Sequence, residues 1–306
     1  MNYPRRRFLR AALGGAVGVF GGCAAQSESI RRCPAALDEF VLEKNLGPLP
    51  VYRYKSSAGP AVVLLHELPG MSPDDLALAK CLGQQGVSVY LPLLFGEPGQ
   101  NRIFAGYFQS CAQADFECAA LSKSSPIIDK LREVCRRVGE RAGGPTGVIG
   151  MCLTGTFPLA LLGDGVQAAV LCQPTLPFNA LFMRPIGAQR RVLGLAPEDL
   201  NRALKSRVPI LAMRYRNDSL CPAERFRALR ETFRERMAQI EIESQNGRHS
   251  TLAADFNFDA FSDAVSYLKV RLGAANRPQR MKLAKLEGRP CEIGPDGRWR
   301  RILSPP

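Results

Sequence analysis

The chain has 306 residues and 46% of them are hydrophobic, so it is long enough and apolar enough to bury a sizeable core. Its formal net charge is +13, yet no C-x-x-C pair, aromatic RNA-binding run or helix-turn-helix pattern accompanies that charge, which argues against a nucleic-acid-binding protein. We therefore interpret the basic excess as surface solvation, attraction to anionic lipid or a preference for anionic substrates.

The first 27 residues have the pattern of an export signal. Residues 5–10 (RRRFLR) resemble the twin-arginine signal, and residues 11–22 form an apolar, uncharged run of 12 residues. That run is too short to cross a bilayer as a helix, which needs roughly 20 residues. Residues 20–23 are similar to a lipoprotein box, so we expect either a lipid anchor at Cys23 or cleavage just after it. The sequence predicts a periplasmic protein, with a cytoplasmic location as the alternative.

The rest of the chain divides into three parts. Residues 28–50 are predicted as an N-terminal linker, residues 51–273 as the main domain and residues 274–306 as a basic C-terminal extension rich in Pro and Gly. The ten cysteines permit disulfides in an exported protein, but the sequence does not decide their pairing.

Strand-like and helix-like patterns alternate through the main domain. Strands are predicted at 51–54, 61–66, 87–91, 147–149, 168–172, 208–214 and 240–243, and helices at 72–85, 127–142, 155–162, 223–237 and 258–272. Residues 92–113 are predicted as a long loop near a pocket. Such alternation implies a mostly parallel sheet with helices on both faces, in which ligands bind at the carboxyl ends of the strands.

A sharp turn with a nucleophile at its apex is predicted at residues 146–155 (TGVIGMCLTG). An apolar strand ends at Gly150, Cys152 follows, and an apolar helical pattern begins after Gly155. A strained strand-to-helix turn of this kind needs small residues around the nucleophile. Here the nucleophile is a thiol, and Thr154 stands where the commoner pattern has Gly.

A thiol nucleophile needs a base and an acid that orients it, and the sequence has two histidines. His249 lies in a polar turn between a strand and the last helix, whereas His66 ends a strand, so we favour His249 as the base. Asp218 follows the strand at 208–214. The order Cys152, Asp218, His249 is the order of nucleophile, acid and base in α/β-hydrolases.

These residues together resemble the dienelactone hydrolase family over most of residues 51–272. The resemblance is carried by residues 62–70 (VVLLHELPG), the turn at 150–155, Asp218 with Pro222, and His249 with Ser250. It implies an α/β-hydrolase fold, with Cys152 as nucleophile, Asp218 as acid and His249 as base. It also implies that Glu67 lies beside the thiol and influences its ionisation, and that the backbone N–H groups of Leu68 and Leu153 form an oxyanion hole.

The chain departs from the family at a position that takes part in substrate binding. An arginine four residues after the histidine helps to bind a substrate carboxylate in the family, and that position is Ala253 here. Arg102 or Arg248 could replace it, but the sequence does not place either of them. The resemblance therefore predicts the hydrolase chemistry and leaves the substrate open.

The sequence supports three functions. The first is a thiol hydrolase of carboxylic esters or lactones, which acts on a small molecule through an acyl-enzyme and needs no metal or organic cofactor. The second is a catalytically silent binding protein of the cell envelope, in which another cysteine could trap Cys152 in a disulfide. The third is acyl transfer to an alcohol, which the sequence does not separate from hydrolysis. The oligomeric state is left open.

Overall fold

The computed structural model describes residues 34–101, 125–163, 165–175, 190–244, 247–273, 279–282, 290–293 and 299–301. Its strands are β1 (Phe40–Glu43), β2 (Val51–Tyr54), β3 (Ala61–Leu65), β4 (Ser88–Pro92), β5 (Thr146–Met151), β6 (Val166–Cys172), β7 (Ile210–Tyr215), β8 (Met237–Ile242), β9 (Gln279–Lys282), β10 (Pro290–Ile293) and β11 (Trp299–Arg301). Its helices are α1 (Pro73–Gln84), α2 (Pro126–Ala142), α3 (Phe157–Ala160), α4 (Pro197–Lys205), α5 (Ala223–Phe233) and α6 (Phe258–Gly273).

The main sheet has eight strands in the order β1-β2-β4-β3-β5-β6-β7-β8. The strands from β4 across to β8 pair in parallel, whereas β1 and β2 pair antiparallel at one edge. The predicted α/β architecture with a mostly parallel sheet is therefore confirmed. Because β3, β5, β6, β7 and β8 are consecutive neighbours, their carboxyl ends meet at one edge of the sheet.

Helices cover both faces of this sheet, as continuous apolar strands require. All five residues of β3 are buried: Val62 and Leu64 belong to the core on one face, Val63 and Leu65 to the core on the other. Buried residues of α1 and α6 complete the first core, and those of α2 and α5 complete the second. The strand that leads to Glu67 is thus fixed from both sides.

Helix α1 starts where the sequence predicts it. Ser72 is the N-cap: its hydroxyl accepts a hydrogen bond from the Asp75 N–H, and Asp75 Oδ2 accepts one from the Ser72 N–H at 2.9 Å. Pro73 occupies the first helical position, where its missing N–H costs nothing.

The predicted turn follows β5. Cys152 begins a 3-10 turn, Cys152–Thr154, that leads to the short helix α3, and its φ is +51°. A Cβ on Gly150 would lie 2.3 Å from the Thr154 carbonyl oxygen, and a Cβ on Gly155 would lie 2.5 Å from the Pro174 Cα. Both contacts are with backbone atoms, so only glycine fits at these two positions.

Several elements differ from the sequence-based predictions. Strand β1 lies within the segment 28–50 predicted as a linker and pairs with β2. Helix α5 ends at Phe233, earlier than predicted, because Arg234 has a φ of +49° and Met237 already pairs with Ile210 at the start of β8. Helix α4 was not predicted, and strands β9, β10 and β11 form a small antiparallel sheet within the extension at 274–306.

The predictions for residues 1–27, including the lipid anchor at Cys23, fall outside the described residues, as do residues 102–113 of the predicted loop. Within the part of the chain that the structure describes, no helix combines the length and apolar character that crossing a membrane demands.

The close packing at the turn predicts that Gly155→Ala destabilises the protein. The new methyl group must displace backbone at Pro174, so we expect the free energy of unfolding to fall by about 2–3 kcal/mol. Urea denaturation checks this, with Gly144→Ala as the matched control because a Cβ there meets nothing within 4 Å. Equal losses in the two variants would contradict the steric explanation.

Candidate active site

The predicted site residues meet at the carboxyl edge of the sheet. Glu67 lies just beyond β3, Cys152 just beyond β5 and Asp218 just beyond β7, and His249 lies in the segment between β8 and α6. Residues that are far apart in the chain thus converge because parallel strands end at the same edge.

His249 and Asp218 form the shortest link in the site. Nδ1 of His249 lies 2.7 Å from Oδ2 of Asp218. The other oxygen of Asp218 accepts hydrogen bonds from the N–H groups of Leu220, at 2.8 Å, and Cys221, at 3.1 Å. The carboxylate is therefore fixed by its own turn, and it keeps a proton on Nδ1 of the imidazole, which leaves Nε2 as the nitrogen that can gain or lose one.

The thiol lies beside this imidazole. Sγ of Cys152, a ring nitrogen of His249 and a carboxylate oxygen of Glu67 lie within 4.8 Å of one another. Cys152 is only 7% exposed, and its thiol forms no disulfide with another cysteine that the structure describes. Nε2 of His249 is shielded from solvent and has no hydrogen-bond partner among the described residues. The remaining valence of the imidazole is thus available to the sulfur or to a bound molecule.

The surroundings of His249 favour its charged form. Burial alone would lower the pKa of His249, but the Asp218 carboxylate and the Cys152 sulfur raise it well above its ordinary value. The ring can therefore accept a proton and hold it, which is the property that a base beside a thiol needs.

Glu67 is buried and held at both oxygens. Oε1 accepts a hydrogen bond from the Ser250 hydroxyl at 2.5 Å, and Oε2 accepts one from the Gln173 amide at 3.0 Å. Burial raises the pKa of Glu67, although the His249 imidazole and these two hydrogen bonds act in the opposite direction. The carboxyl group therefore retains a proton more readily than an exposed glutamate.

Gln173 is a site residue that the sequence analysis missed. It is fully buried just beyond β6, and its φ of +34° is unusual for a residue with a side chain. Besides donating to Glu67, its amide oxygen accepts hydrogen bonds from the Thr251 N–H, at 3.1 Å, and from the Thr251 hydroxyl, at 2.6 Å. Gln173 thus links the carboxyl group beside the thiol to the segment that carries His249.

Asp255 and Asp75 are two further carboxyl groups that sequence reasoning did not identify. Asp255 accepts hydrogen bonds from the backbone N–H groups of His249, at 2.8 Å, and Ser250, at 3.2 Å, and so shapes the histidine segment. Asp75 is fully buried, and its Oδ1 has no partner among the described residues. Burial and the neighbouring Glu67 raise the pKa of Asp75 well above its ordinary value.

Thr154, the departure from the commoner glycine pattern, braces the turn. Its hydroxyl accepts a hydrogen bond from the Met151 N–H at 3.0 Å and lies 3.2 Å from the Leu65 carbonyl and 3.3 Å from the His66 carbonyl. The side chain therefore joins the turn at Cys152 to the end of β3, which leads to Glu67. A glycine could not make this link.

Two buried arginines hold the turn that carries Asp218. Arg214 donates to the carbonyls of Arg216, at 3.1 Å, and Cys221, at 3.0 Å, on either side of Asp218. Arg225 donates to the carbonyl of Leu220, within that turn, at 3.5 Å and to the carbonyl of Val192 at 2.9 Å. Backbone carbonyls engage both guanidinium groups, and the Glu241 carboxylate also accepts a hydrogen bond from Nε of Arg214 at 2.9 Å, so the buried donors have partners.

His66 has a structural environment, in agreement with the preference for His249. Its Nε2 accepts a hydrogen bond from the Leu94 N–H at 3.0 Å, its Nδ1 lies 3.2 Å from the Glu67 carbonyl, and its ring meets the edge of Phe95. Burial lowers the pKa of His66 to about 4. The ring is therefore neutral, with both nitrogens in use.

The remaining predicted positions lie near the site or behind it. Leu153 follows Cys152 in the chain, and Leu68 follows Glu67, whose carboxyl group lies near the thiol. Ala253 is 1% exposed and packs in the core, where an arginine would have no route to solvent. Arg248 is half-buried and interacts with Tyr215. Arg102 lies outside the described residues.

Comparisons with known proteins show the family and the fold of this chain. The model of the dienelactone hydrolase family matches residues 50–267. A dienelactone hydrolase from Anabaena variabilis is 16% identical, with 76% of this chain and 95% of that chain covered and a TM-score of 0.50. A dienelactone hydrolase-like promiscuous phosphotriesterase from metagenomic libraries is also 16% identical, with 74% and 94% covered and a TM-score of 0.51.

A puromycin-hydrolyzing peptidase from Mycobacterium tuberculosis is 14% identical, with a TM-score of 0.52 over 76% of this chain and 39% of that chain. At these identities the solved structures show a shared fold, which is the α/β-hydrolase fold. No similar sequence was found among curated proteins.

The buried, neutral state of His66 predicts a loss of stability in acid. Since its folded pKa of about 4 lies below the value of 6.5 for an unperturbed histidine, the unfolded chain takes up the proton first. The contribution of neutral His66 to the free energy of unfolding is complete above pH 6.5. It falls by about 3 kcal/mol as the pH decreases to 4.

Urea denaturation of the wild type and of His66→Gln from pH 7 to pH 4 isolates this effect. The Gln side chain can accept the Leu94 hydrogen bond but does not titrate, so the stability advantage of the wild type should shrink as the pH falls. A difference that stays constant with pH would refute the assignment.

Because Gln173 links Glu67 to Thr251, we predict that Gln173→Leu destabilises the protein. The leucine keeps the bulk but leaves Glu67 Oε2 and the Thr251 N–H without their partner, so we expect unfolding to be easier by about 2–3 kcal/mol. Urea denaturation measures this, with Gln84→Leu on the exposed face of α1 as the matched control. A loss no larger than that of the control would show that the link is dispensable.

Proposed function

Because this chain belongs to the dienelactone hydrolase family and is a hydrolase, we propose that it cleaves carboxylic esters or lactones with Cys152 as the nucleophile. One observation carries the proposal: a free thiol on a strained turn lies beside an imidazole whose other nitrogen is bonded to a buried carboxylate. This arrangement supports the assignment of Cys152 as nucleophile, His249 as base and Asp218 as orienting acid.

In the first half of the proposed reaction, the Cys152 proton moves to Nε2 of His249 and the sulfur attacks the substrate carbonyl. A carbon–sulfur bond forms, the carbonyl oxygen becomes an oxyanion, and Asp218 stabilises the imidazolium. The carbon–oxygen bond to the leaving alcohol then breaks, and the alcohol takes the proton from His249. The product of this half is a thioester at Cys152.

In the second half, His249 removes a proton from a water molecule that attacks the thioester. The carbon–sulfur bond breaks, the acid is released, and the proton returns to the sulfur. For a lactone, alcohol and acid belong to one molecule, so a single ring-opened product leaves.

We assign the oxyanion hole to the backbone N–H groups of Leu68 and Leu153. Leu153 directly follows Cys152, which carries the sulfur. Leu68 directly follows Glu67, which lies beside the sulfur. Two such donors contribute about 3 kcal/mol each to the stabilisation of the transition state.

The proposed role of Glu67 follows from its raised pKa. A carboxylate beside the sulfur would oppose formation of the thiolate, whereas a protonated carboxyl group does not. Glu67 can therefore store a proton near the thiol without adding a second negative charge.

The substrate class stays general because Ala253 carries no charge. The family's arginine has no counterpart at this core position, so the proposal extends to esters and lactones without a required carboxylate. We also propose export to the periplasm, which rests on residues 1–27 of the sequence alone.

Hydrolysis of a panel of activated esters and lactones tests the proposal. We expect Cys152→Ala to lower kcat/KM by about 10³-fold or more, and His249→Gln to do the same, because nucleophile and base act together. Intact-mass measurement after mixing with substrate should show an acyl adduct that is absent from Cys152→Ala.

Cys81→Ser serves as the matched control, since it removes a thiol elsewhere in the fold that forms no disulfide with another described cysteine. Equal rates in the wild type and in Cys152→Ala would refute the proposed nucleophile. Absence of turnover in all proteins, with no adduct, would favour the silent binding protein.

A further inference from the structure

Three side chains that ligate soft divalent metal ions meet at this site. The sulfur of Cys152, a ring nitrogen of His249 and a carboxylate oxygen of Glu67 lie within 4.8 Å of one another. Thiolate, imidazole and carboxylate are ligands that zinc takes in proteins. With bonds of about 2.0–2.3 Å, the ligand atoms of a tetrahedral site are roughly 3.3–3.8 Å apart. Side-chain adjustments of about 1 Å therefore bring the three donors around one ion.

The groups behind these donors also suit a metal ion. Nδ1 of His249 is bonded to Asp218 at 2.7 Å, so Nε2 is the nitrogen that can ligate. Nε2 is shielded from solvent and has no hydrogen-bond partner in the described part of the chain. A histidine ligand whose second nitrogen is bonded to a carboxylate is the usual arrangement at zinc sites.

Glu67 is likewise held in place from behind. The Ser250 hydroxyl and the Gln173 amide each donate to one of its oxygens, at 2.5 Å and 3.0 Å. Because each oxygen can accept more than one interaction, these bonds orient the carboxylate without using up its capacity to bind an ion. The histidine and the glutamate donors are therefore both held by supporting partners.

We propose that Cys152, His249 and Glu67 form a binding site for a thiophilic divalent cation of the zinc class, and that the bound ion inhibits the hydrolase. The ion accepts lone pairs from the Cys152 sulfur, from Nε2 of His249 and from a Glu67 oxygen, and it replaces any protons on these three groups, which pass to solvent. It also occupies the lone pair on Nε2 that the base needs, so nucleophile and base are withdrawn together. No oxidant or reductant takes part.

Metal binding and inhibition depend on different properties of the site. Inhibition rests on the proposed function, because it requires turnover by Cys152. Binding rests on the geometry of the three donors alone. An experiment that measures binding directly therefore separates failure of the metal site from failure of the proposed catalysis.

Cadmium titration of the full, reduced chain measures binding without any substrate. Cadmium bound to a thiolate gives a sulfur-to-metal charge-transfer absorption in the ultraviolet, and zinc competition then reports the zinc affinity. We expect the wild type to bind one more ion than Cys152→Ser. Cys81→Ser, which removes a thiol outside the site, should bind like the wild type.

The other two donors and their support distinguish a built site from binding by a lone thiol. We expect Glu67→Gln to weaken cadmium binding by more than tenfold, and Asp218→Asn, which leaves the three ligands in place, by about 10–100-fold. Circular dichroism verifies that each variant is folded. If both variants bind cadmium like the wild type, or if Cys152→Ser does so, the three-ligand site is refuted.

Where esters are hydrolysed, zinc should inhibit the wild type reversibly, with activity restored by a chelator. Turnover that persists at zinc concentrations that saturate binding would refute the inhibitory role.

Discussion

The site depends on how closely the chain packs around the turn at Cys152. A positive φ at a residue with a side chain costs about 1–3 kcal/mol, so the surrounding structure must enforce it. The enforcement comes from backbone packed against backbone at Gly150 and Gly155, where no side chain fits. The hydroxyl of Thr154 then ties the turn to the end of β3. The sulfur is thereby fixed relative to two strands rather than carried on a free loop.

Buried polar groups join the separate strand ends into one unit. Glu67 beyond β3, Gln173 beyond β6 and Thr251 beyond β8 are linked by hydrogen bonds between buried atoms. In such surroundings a missing partner is costly, so the loops cannot move independently without leaving donors unsatisfied. The geometry around the thiol is therefore a property of this network as well as of the turn.

The sequence predicted the residues whose roles have local signatures. The glycines around Cys152 reveal the turn, and Asp218 and His249 each follow a recognisable strand in the order expected for this fold. Gln173 has no such signature, because its partners lie 106 and 78 positions away and only the folded sheet brings them together. Strand β1 was not predicted either, because its four residues form a strand only by pairing with β2. Long-range pairing is what a single sequence does not display.

Burial also limits the negative charge that the carboxyl groups around Cys152 can carry. Asp218 is stabilised by two backbone N–H groups and the imidazole, whereas Asp75 has an oxygen without a described partner and a raised pKa. Because charges on Asp75 and Glu67 oppose each other, the two carboxyl groups together retain a proton more readily than exposed ones. In the proposed mechanism, attack by the Cys152 sulfur adds further negative charge, which a nearby positive charge would stabilise. Among the described residues, His249 lies beside both the sulfur and a fixed carboxylate, so its imidazolium is the group that we propose supplies this charge.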